Sequence, residues 1–114
     1  MEIISSPIPK SYLVPLAEKM DGEMVKAVVD VANGRVAIDA SMHVDLEVLL
    51  LDDGSSQEAL WGINLYPDLQ GDDWLEFDSM INLRPGQGNR SRGVDDPDIR
   101  ERIRALVTGL FVQP

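Results

Sequence analysis

Met24-Val25-Lys26-Ala27-Val28-Val29-Asp30-Val31-Ala32-Asn33-Gly34-Arg35-Val36-Ala37-Ile38-Asp39-Ala40 is the stretch that decides the fold. Asn-Gly tolerates positive φ at both centres of a type I′ turn, the tightest link between antiparallel strands. A register set from that turn puts Val31 opposite Val36, Val29 opposite Ile38 and Ala27 opposite Ala40 on one side. Asp30 with Ala37 and Val28 with Asp39 then fall on the other. Turn chemistry and apolar alternation agree, so the stretch reads as a β-hairpin with one face committed to a core.

Upstream of the hairpin, a short helix is expected from Ser11 to Met20, with Gly22 as its stop and Pro15 confined to its first turn. Downstream, Ser41 to Asp53 fits two periods. Val44, Leu46, Val48 and Leu50 alternate as in a strand, whereas Met42, Leu46, Leu49 and Leu50 follow a helical stripe. The exit Asp52-Asp53-Gly54 favours a helix of about two turns. Ser55-Ser56-Gln57-Glu58 matches a capping box and suggests one helical turn at most. Trp61 to Tyr66 reads as a strand with Trp61, Ile63 and Leu65 on one face, ended by Pro67. Trp74 to Leu83 reads as a second long strand, with Leu75, Phe77, Ile81 and Leu83 inward and Glu76, Asp78, Met80 and Asn82 outward. After an irregular stretch, Asp96 caps a last helix that opens on Pro97 and buries Ile99, Ile103, Leu106, Val107 and Leu110. The expected fold is a single α+β domain over residues 1–114, of order α-β-β-α-β-β-α, with a four-stranded, mainly antiparallel sheet packed with helices. The order of the strands does not follow from the sequence.

Composition narrows the chemistry. The 114 residues carry a net charge of −10, no cysteine, one histidine and six aromatics. A chain of this length has an expected radius of gyration of about 13 Å. Without cysteine there is no thiolate nucleophile, disulfide framework, zinc finger or iron–sulfur cluster. The first residues lack the basic and apolar regions of a signal peptide, and the longest apolar run is Val48 to Leu51, so a soluble cytoplasmic protein is expected. Net negative charge disfavours nucleic acid and membrane surfaces as partners. The charge is also uneven. Residues 1–83 sum to −12 and residues 84–114 to +2, and all six bases of the second segment are arginine. Such asymmetry suits an acidic surface facing a basic one, either within the fold or between molecules.

Three groups of residues are candidates for a site. The first is the loop Arg84-Pro85-Gly86-Gln87-Gly88-Asn89-Arg90-Ser91-Arg92-Gly93, in which Arg84, Asn89, Arg90 and Arg92 offer donors to an anion. It contains neither G-x-G-x-x-G nor Gly-Lys-Ser/Thr, and Asp95, Asp96 and Asp98 crowd the helix start where a phosphate would dock. The plain alternative is an ordered loop pinned by its own arginines. The second group is Asp30, Glu76 and Asp78, with Asp39 nearby in the hairpin; gathered on one sheet face, these carboxylates would suit Mg²⁺ or Mn²⁺. Period-two acids on a strand are otherwise a solvated face. An EF-hand is excluded, because Gly54 at its sixth position would put Leu49 at the first, where an acid is required. The third is His43 with Asp45 and Glu47, where His43, together with Glu76 and Asp78, is the candidate for acid–base catalysis.

The blocks Val25 to Asp30 (VKAVVD), Leu60 to Pro67 (LWGINLYP) and Phe77 to Gly93 (FDSMINLRPGQGNRSRG) resemble a family of short bacterial proteins known as a domain of unknown function. The resemblance covers most of the chain and implies one small cytoplasmic domain, with no activity, cofactor or catalytic residue attached.

Two function classes follow. The favoured one is a non-catalytic binding module that self-associates, as a dimer or larger homo-oligomer, or engages a protein partner, and needs no cofactor. The alternative is a small enzyme or ligand-binding protein for an anionic, nucleotide- or phosphate-like metabolite. It would hold the anion with Arg84, Arg90 and Arg92 and use Glu76, Asp78 and His43, with Mg²⁺ or Mn²⁺, for chemistry.

Overall fold

A computed structural model describes residues 1–20 and 22–113. In chain order its elements are β1 (Glu2–Ile4), β2 (Ile8–Pro9), α1 (Val14–Met20), β3 (Val25–Asp30), β4 (Arg35–Ile38), α2 (His43–Asp52), β5 (Leu60–Leu65), β6 (Leu75–Glu76), α3 (Pro97–Leu110) and β7 (Phe111–Val112). Strands β3 and β4 are the expected hairpin, displaced by two residues: Val29 lies opposite Val36 and Ala27 opposite Ile38. The connection is thus the four residues Val31–Gly34 rather than Asn33-Gly34 alone. Asp30 is the cause. Its Oδ1 accepts from the amides of Ala32 and Asn33, each at 3.0 Å, and its Oδ2 from Asn33 Nδ2 at 2.8 Å. These bonds close an Asx-type turn on residues that would otherwise extend the pairing. Gly34, at φ 70°, turns the chain back, and its N–H bonds Asp30 O at 2.9 Å. A slip of two leaves every side chain on its expected face.

The sheet has five strands rather than four, in the order β1-β4-β3-β5-β6, with every neighbouring pair antiparallel. The addition is β1, whose three residues are too few to show alternation. Strands β2 and β7 form a separate parallel pair that ties the two ends of the chain together. The helices interleave with the hairpin and with β5 and β6 as expected, and the short strands β1, β2 and β7 extend the order at either end.

The long strand expected over Trp74–Leu83 is corrected. Pairing ends at Glu76, and Met80–Asn82 form a 3-10 turn. Asn82, expected outward, is fully buried. Its Oδ1 accepts from Gly62 N at 2.8 Å, while its Nδ2 donates to Gly62 O at 3.0 Å and to Arg92 O at 2.8 Å. A carboxamide carries the same donor and acceptor as a peptide unit, so Asn82 fills the edge of β5 that a continuing strand would take. Glycine at 62 is what permits this approach, since a Cβ there would stand 2.5 Å from Ser79 Cβ. Leu83, expected inward, is 39% exposed. The capping box is also absent. Ser56 precedes the single turn Gln57–Ala59 without a side-chain cap, and Ser55 donates to Asp30 instead.

One face of the sheet carries the main core, where Val29, Ile38, Trp61 and Ile63 meet Leu13, Ala17 of α1, and Ile103 and Val107 of α3. Helix α3 starts as expected, with the Asp96 side chain accepting from Asp98 N at 2.8 Å. The opposite face carries a smaller core, in which Leu46 and Leu50 of α2 cover Val28, Ala37 and Leu60. The radius of gyration is 12.9 Å. Among the described residues no helix is long and apolar enough to cross a membrane.

Candidate functional site

Helix α2 covers only part of its face of the sheet. Beyond its N-terminal end, Lys26 of β3, Asn64 of β5 and Glu76 of β6 lie side by side across three strands, in the register Lys26–Asn64 and Asn64–Glu76. Residues two apart share a sheet face, so Lys26 and Asn64 fall on the side of Val28 and Gly62, the side on which α2 packs. They floor a groove of about 570 Å³. One wall is the start of α2, with Met42, His43 and Val44, and the other is formed by Asp78, Met80 and Arg92.

The floor is tightly bonded on one side. Asn64 Nδ2 donates to Glu76 Oε1 at 2.8 Å and to Asp78 O at 3.3 Å, and the Tyr66 hydroxyl donates to Glu76 Oε1 at 3.1 Å. Burial, followed by the Glu76 carboxylate, raises the Tyr66 pKa above its ordinary value. Asn64 Oδ1 is buried and has no hydrogen-bond partner among the described residues. His43 Nε2 lies 2.8 Å from Ile63 O. A carbonyl only accepts, so that nitrogen carries the proton and Nδ1 is the acceptor of the neutral ring. Burial pushes the His43 pKa below 6.5 and Lys26 adds to this, while the Ile63 carbonyl, the Asp78 charge and the Asn64 side chain oppose it. On the far wall Arg92 Nε donates to Asp78 Oδ1 at 2.7 Å. Both partners are about half exposed, and such a pair contributes ~0–1 kcal/mol.

Of the residues singled out from the sequence, the groove collects His43, Glu76, Asp78 and Arg92. The others lie elsewhere. Asp30 sits four residues along β3 from Lys26, roughly 13 Å away at strand spacing. Its carboxylate is occupied by Ser55, Asn33 and Ala32. Asp39 follows β4 and pairs with Lys19 at 3.1 Å. The expected gathering of Asp30 with Glu76 and Asp78 therefore does not occur, and among the described residues no three His, Cys, Asp or Glu side chains are placed to hold a metal ion.

Within the arginine loop, Arg84 turns inward. Its Nε donates to Ile81 O and its Nη1 to Gln57 O, both at 3.0 Å, its Nη2 stands 3.6 Å from Glu47 Oε2, and the guanidinium lies 5.0 Å from the Trp61 ring centre. Asn89 is 4% exposed, with Nδ2 donating to Asn82 O and Gly93 O at 2.8 Å and Oδ1 accepting from Asp95 N at 2.8 Å. These two residues brace the loop from within. Arg90 is exposed, and it is its amide that bonds Asp95. At the helix start, bonds from Ser91 and from the Arg90 amide hold the Asp95 carboxyl below its ordinary pKa.

Sequence reading missed Lys26 and Asn64. The signal was a polar Asn in the middle of the strand Trp61–Tyr66, on the face opposite Trp61, Ile63 and Leu65. It also missed the outer face of α2. Val44, Val48 and Leu51 are 42%, 48% and 36% exposed, while Leu46 and Leu50 of the same helix are fully buried. Met42 and Met80, 57% and 62% exposed, continue this apolar surface to the rim of the groove. Two apolar stripes on one short helix were legible as a helix with two sides to cover.

The chain belongs to the family described as a protein of unknown function, DUF5674, whose match spans residues 2–110. Comparison with curated proteins and with solved structures gave no match.

Proposed function

We propose that the protein is a non-catalytic binding module that self-associates through the outer face of α2. The observation that carries this reading is the exposed stripe Val44, Val48 and Leu51 on a helix whose opposite stripe is already packed. Its four-then-three spacing is that of a coiled-coil seam, with β-branched Val48 at the position that favours parallel pairs and Leu51 at the next. Charge flanks the stripe asymmetrically. Asp45 and Asp52 lie on one side of it, and Glu47, held by Arg84, on the other. In a parallel two-fold pair each acidic flank faces the partner's flank at Glu47, whose charge Arg84 neutralises, whereas antiparallel pairing sets acid against acid. The anionic-metabolite reading loses support, because Arg84 is spent inside the fold and Arg92 alone of the loop arginines reaches the groove.

The test is sedimentation velocity over a range of protein concentrations. The native chain is expected to form dimers that Val48→Asp returns to monomers, with the variant keeping the native far-ultraviolet circular dichroism because Val48 is half exposed and losing only the concentration-dependent part of its stability. A native chain that stays monomeric at every concentration overturns the proposal.

A further inference from the structure

Thioether is the one form of sulfur in this chain, which has five methionines and no cysteine. No thiol therefore competes for a mild oxidant, and oxidation falls on methionine according to exposure. Met20 and Met24 are partly buried, whereas Met42 and Met80 are more than half exposed. Neither of the exposed pair belongs to a core. Met42 stands at the N-cap of α2, where a Ser, Thr, Asp or Asn side chain would bond the first turn, and it makes no such bond. Met80 opens the 3-10 turn Met80–Asn82, which Ser79 caps. In that turn Ile81 packs on the smaller core and Asn82 is buried. Local structure thus accounts for the neighbours of both methionines and leaves their own side chains without a part in the fold.

Their position supplies one. Both line the groove at the start of α2, from opposite walls, and Val44 lines it with them. Val44 is also the first member of the exposed stripe that continues through Val48 and Leu51. The two thioethers therefore end the apolar surface of α2. In a parallel pair the starts of both α2 helices lie at the same end of the seam, so Met42 and Met80 of the two copies gather there. A thioether is apolar and flexible and moulds to such a contact. A sulfoxide in its place brings an acceptor oxygen that loses water on pairing and finds no donor in the stripe of Val44, Val48 and Leu51.

We propose that Met42 and Met80 are a peroxide-sensitive modification site that governs the pairing of two copies of this chain; the inference rests on the self-association proposed above. Each thioether sulfur attacks one oxygen of hydrogen peroxide. The O–O bond breaks, an S–O bond forms, and the sulfur gives up two electrons. The departing hydroxide takes the proton from the transferred oxygen and leaves as water. The chain bearing sulfoxides is the monomer. Methionine sulfoxide reductases, one for each epimer, return the thioethers, with a dithiol oxidised to its disulfide and the oxygen released as water, and the dimer re-forms.

The experiment measures the dimer Kd by sedimentation velocity before and after hydrogen peroxide, while peptide mass spectrometry locates the oxygens gained. The native chain is compared with Met42→Leu/Met80→Leu. Met1, as exposed as Met80 and outside the groove, stays oxidisable in both. Expected are sulfoxides at Met42 and Met80 ahead of Met20 and Met24, with the circular dichroism of the native fold retained. Peroxide should raise the Kd of the native chain at least about tenfold and that of the variant less than about twofold. Both reductases with a dithiol should restore the native value. A reduced native chain that is monomeric overturns the self-association itself, and this inference with it. Where the reduced chain dimerises, that reading stands and the inference alone falls on any of four results: the native chain carrying both sulfoxides pairs as before, the variant loses as much affinity, oxidation unfolds the chain, or removal of the sulfoxides fails to restore pairing.

Discussion

Asp30 has no exposed surface, and its carboxylate accepts four hydrogen bonds, the shortest from Ser55 Oγ at 2.5 Å. Arg35 Nε stands 3.5 Å away, and the same guanidinium also reaches Asp53 and Ser55. Replacing Asp30 by Ala strips the acceptor from all four donors and leaves the Arg35 charge beside an emptied pocket. Removing one partner of a buried ion pair costs about 3–5 kcal/mol. Arg35 keeps Asp53, whose side chain is 59% exposed, so the lower end of that range is expected. For a domain of this length, a loss near 3 kcal/mol corresponds to a fall in Tm of roughly 10–15 °C.

The same carboxylate sets a pH dependence. Burial alone would raise the Asp30 pKa, but bonds from Ser55, Asn33 and Ala32 outweigh it and hold the group below its ordinary 3.8. The unfolded chain therefore takes up this proton at higher pH than the native one, and stability rises with pH across the interval. The contribution is complete above about pH 5 and is lost as pH falls below about 4 through the native pKa. Urea unfolding followed by the fluorescence of Trp61 and Trp74, both buried, measures it. The stability gap between the native chain and Asp30→Ala is expected to be widest at neutral pH and to narrow toward pH 3. A gap under about 1 kcal/mol at pH 7, or one that stays constant as pH falls, would refute the reasoning.

Gly62→Ala drives a methyl group into Ser79, with 2.5 Å between the carbons, and is expected to cost about 1–3 kcal/mol; adding Ser79→Gly should recover at least half of the lost urea midpoint. Arg84→Ala and Arg92→Ala should differ sharply in thermal unfolding. The inward Arg84 costs about 3 kcal/mol and the half-exposed Arg92 less than about 1, and equal losses would contradict the two placements. His43 should titrate below 6.5 when its Cε1 proton is followed by NMR. Because burial depresses the folded pKa, stability linked to this ring falls as pH drops below 6.5 toward that pKa, and a value at or above 6.5 contradicts the buried neutral ring.

The hairpin, the three helices and the inward face of β5 were legible because each rests on local signals: turn residues, caps and apolar period. The register was not, because Asp30 competes for the amides of its own turn, a contest invisible to apolar alternation. Trp74–Leu83 misled for a related reason. Its alternation is genuine as far as Phe77, but Asn82 substitutes one side-chain amide for strand pairing, and nothing local marks an Asn that will bond a backbone twenty residues away. The candidate site was partly legible. His43, Glu76, Asp78 and Arg92 converge on one groove, while Lys26 and Asn64 complete it only through cross-strand register. Arg84 was read as an anion donor because a sequence shows a guanidinium but not the carbonyls waiting for it.

The six C-terminal arginines bear on how two chains meet. Arg100 Nη1 donates to Val94 O at 2.6 Å and Arg102 Nη2 to Val31 O at 3.1 Å, both carbonyls of the chain itself. Arg84, Arg92 and Arg104 pair with Glu47, Asp78 and Glu101. Few of the twenty carboxylates are thereby neutralised, and the net charge of −10 remains largely on the surface. Two chains approaching through α2 consequently repel at long range while the apolar stripe attracts at contact. Salt screens the first far more than the second, because the Debye length falls from about 30 Å at 0.01 M to about 8 Å at 0.15 M. Dimer affinity is therefore expected to rise as salt increases over that range and to level off above it. Affinity that falls steadily from the lowest salt would mean that ion pairs, rather than Val44, Val48 and Leu51, hold the two chains together.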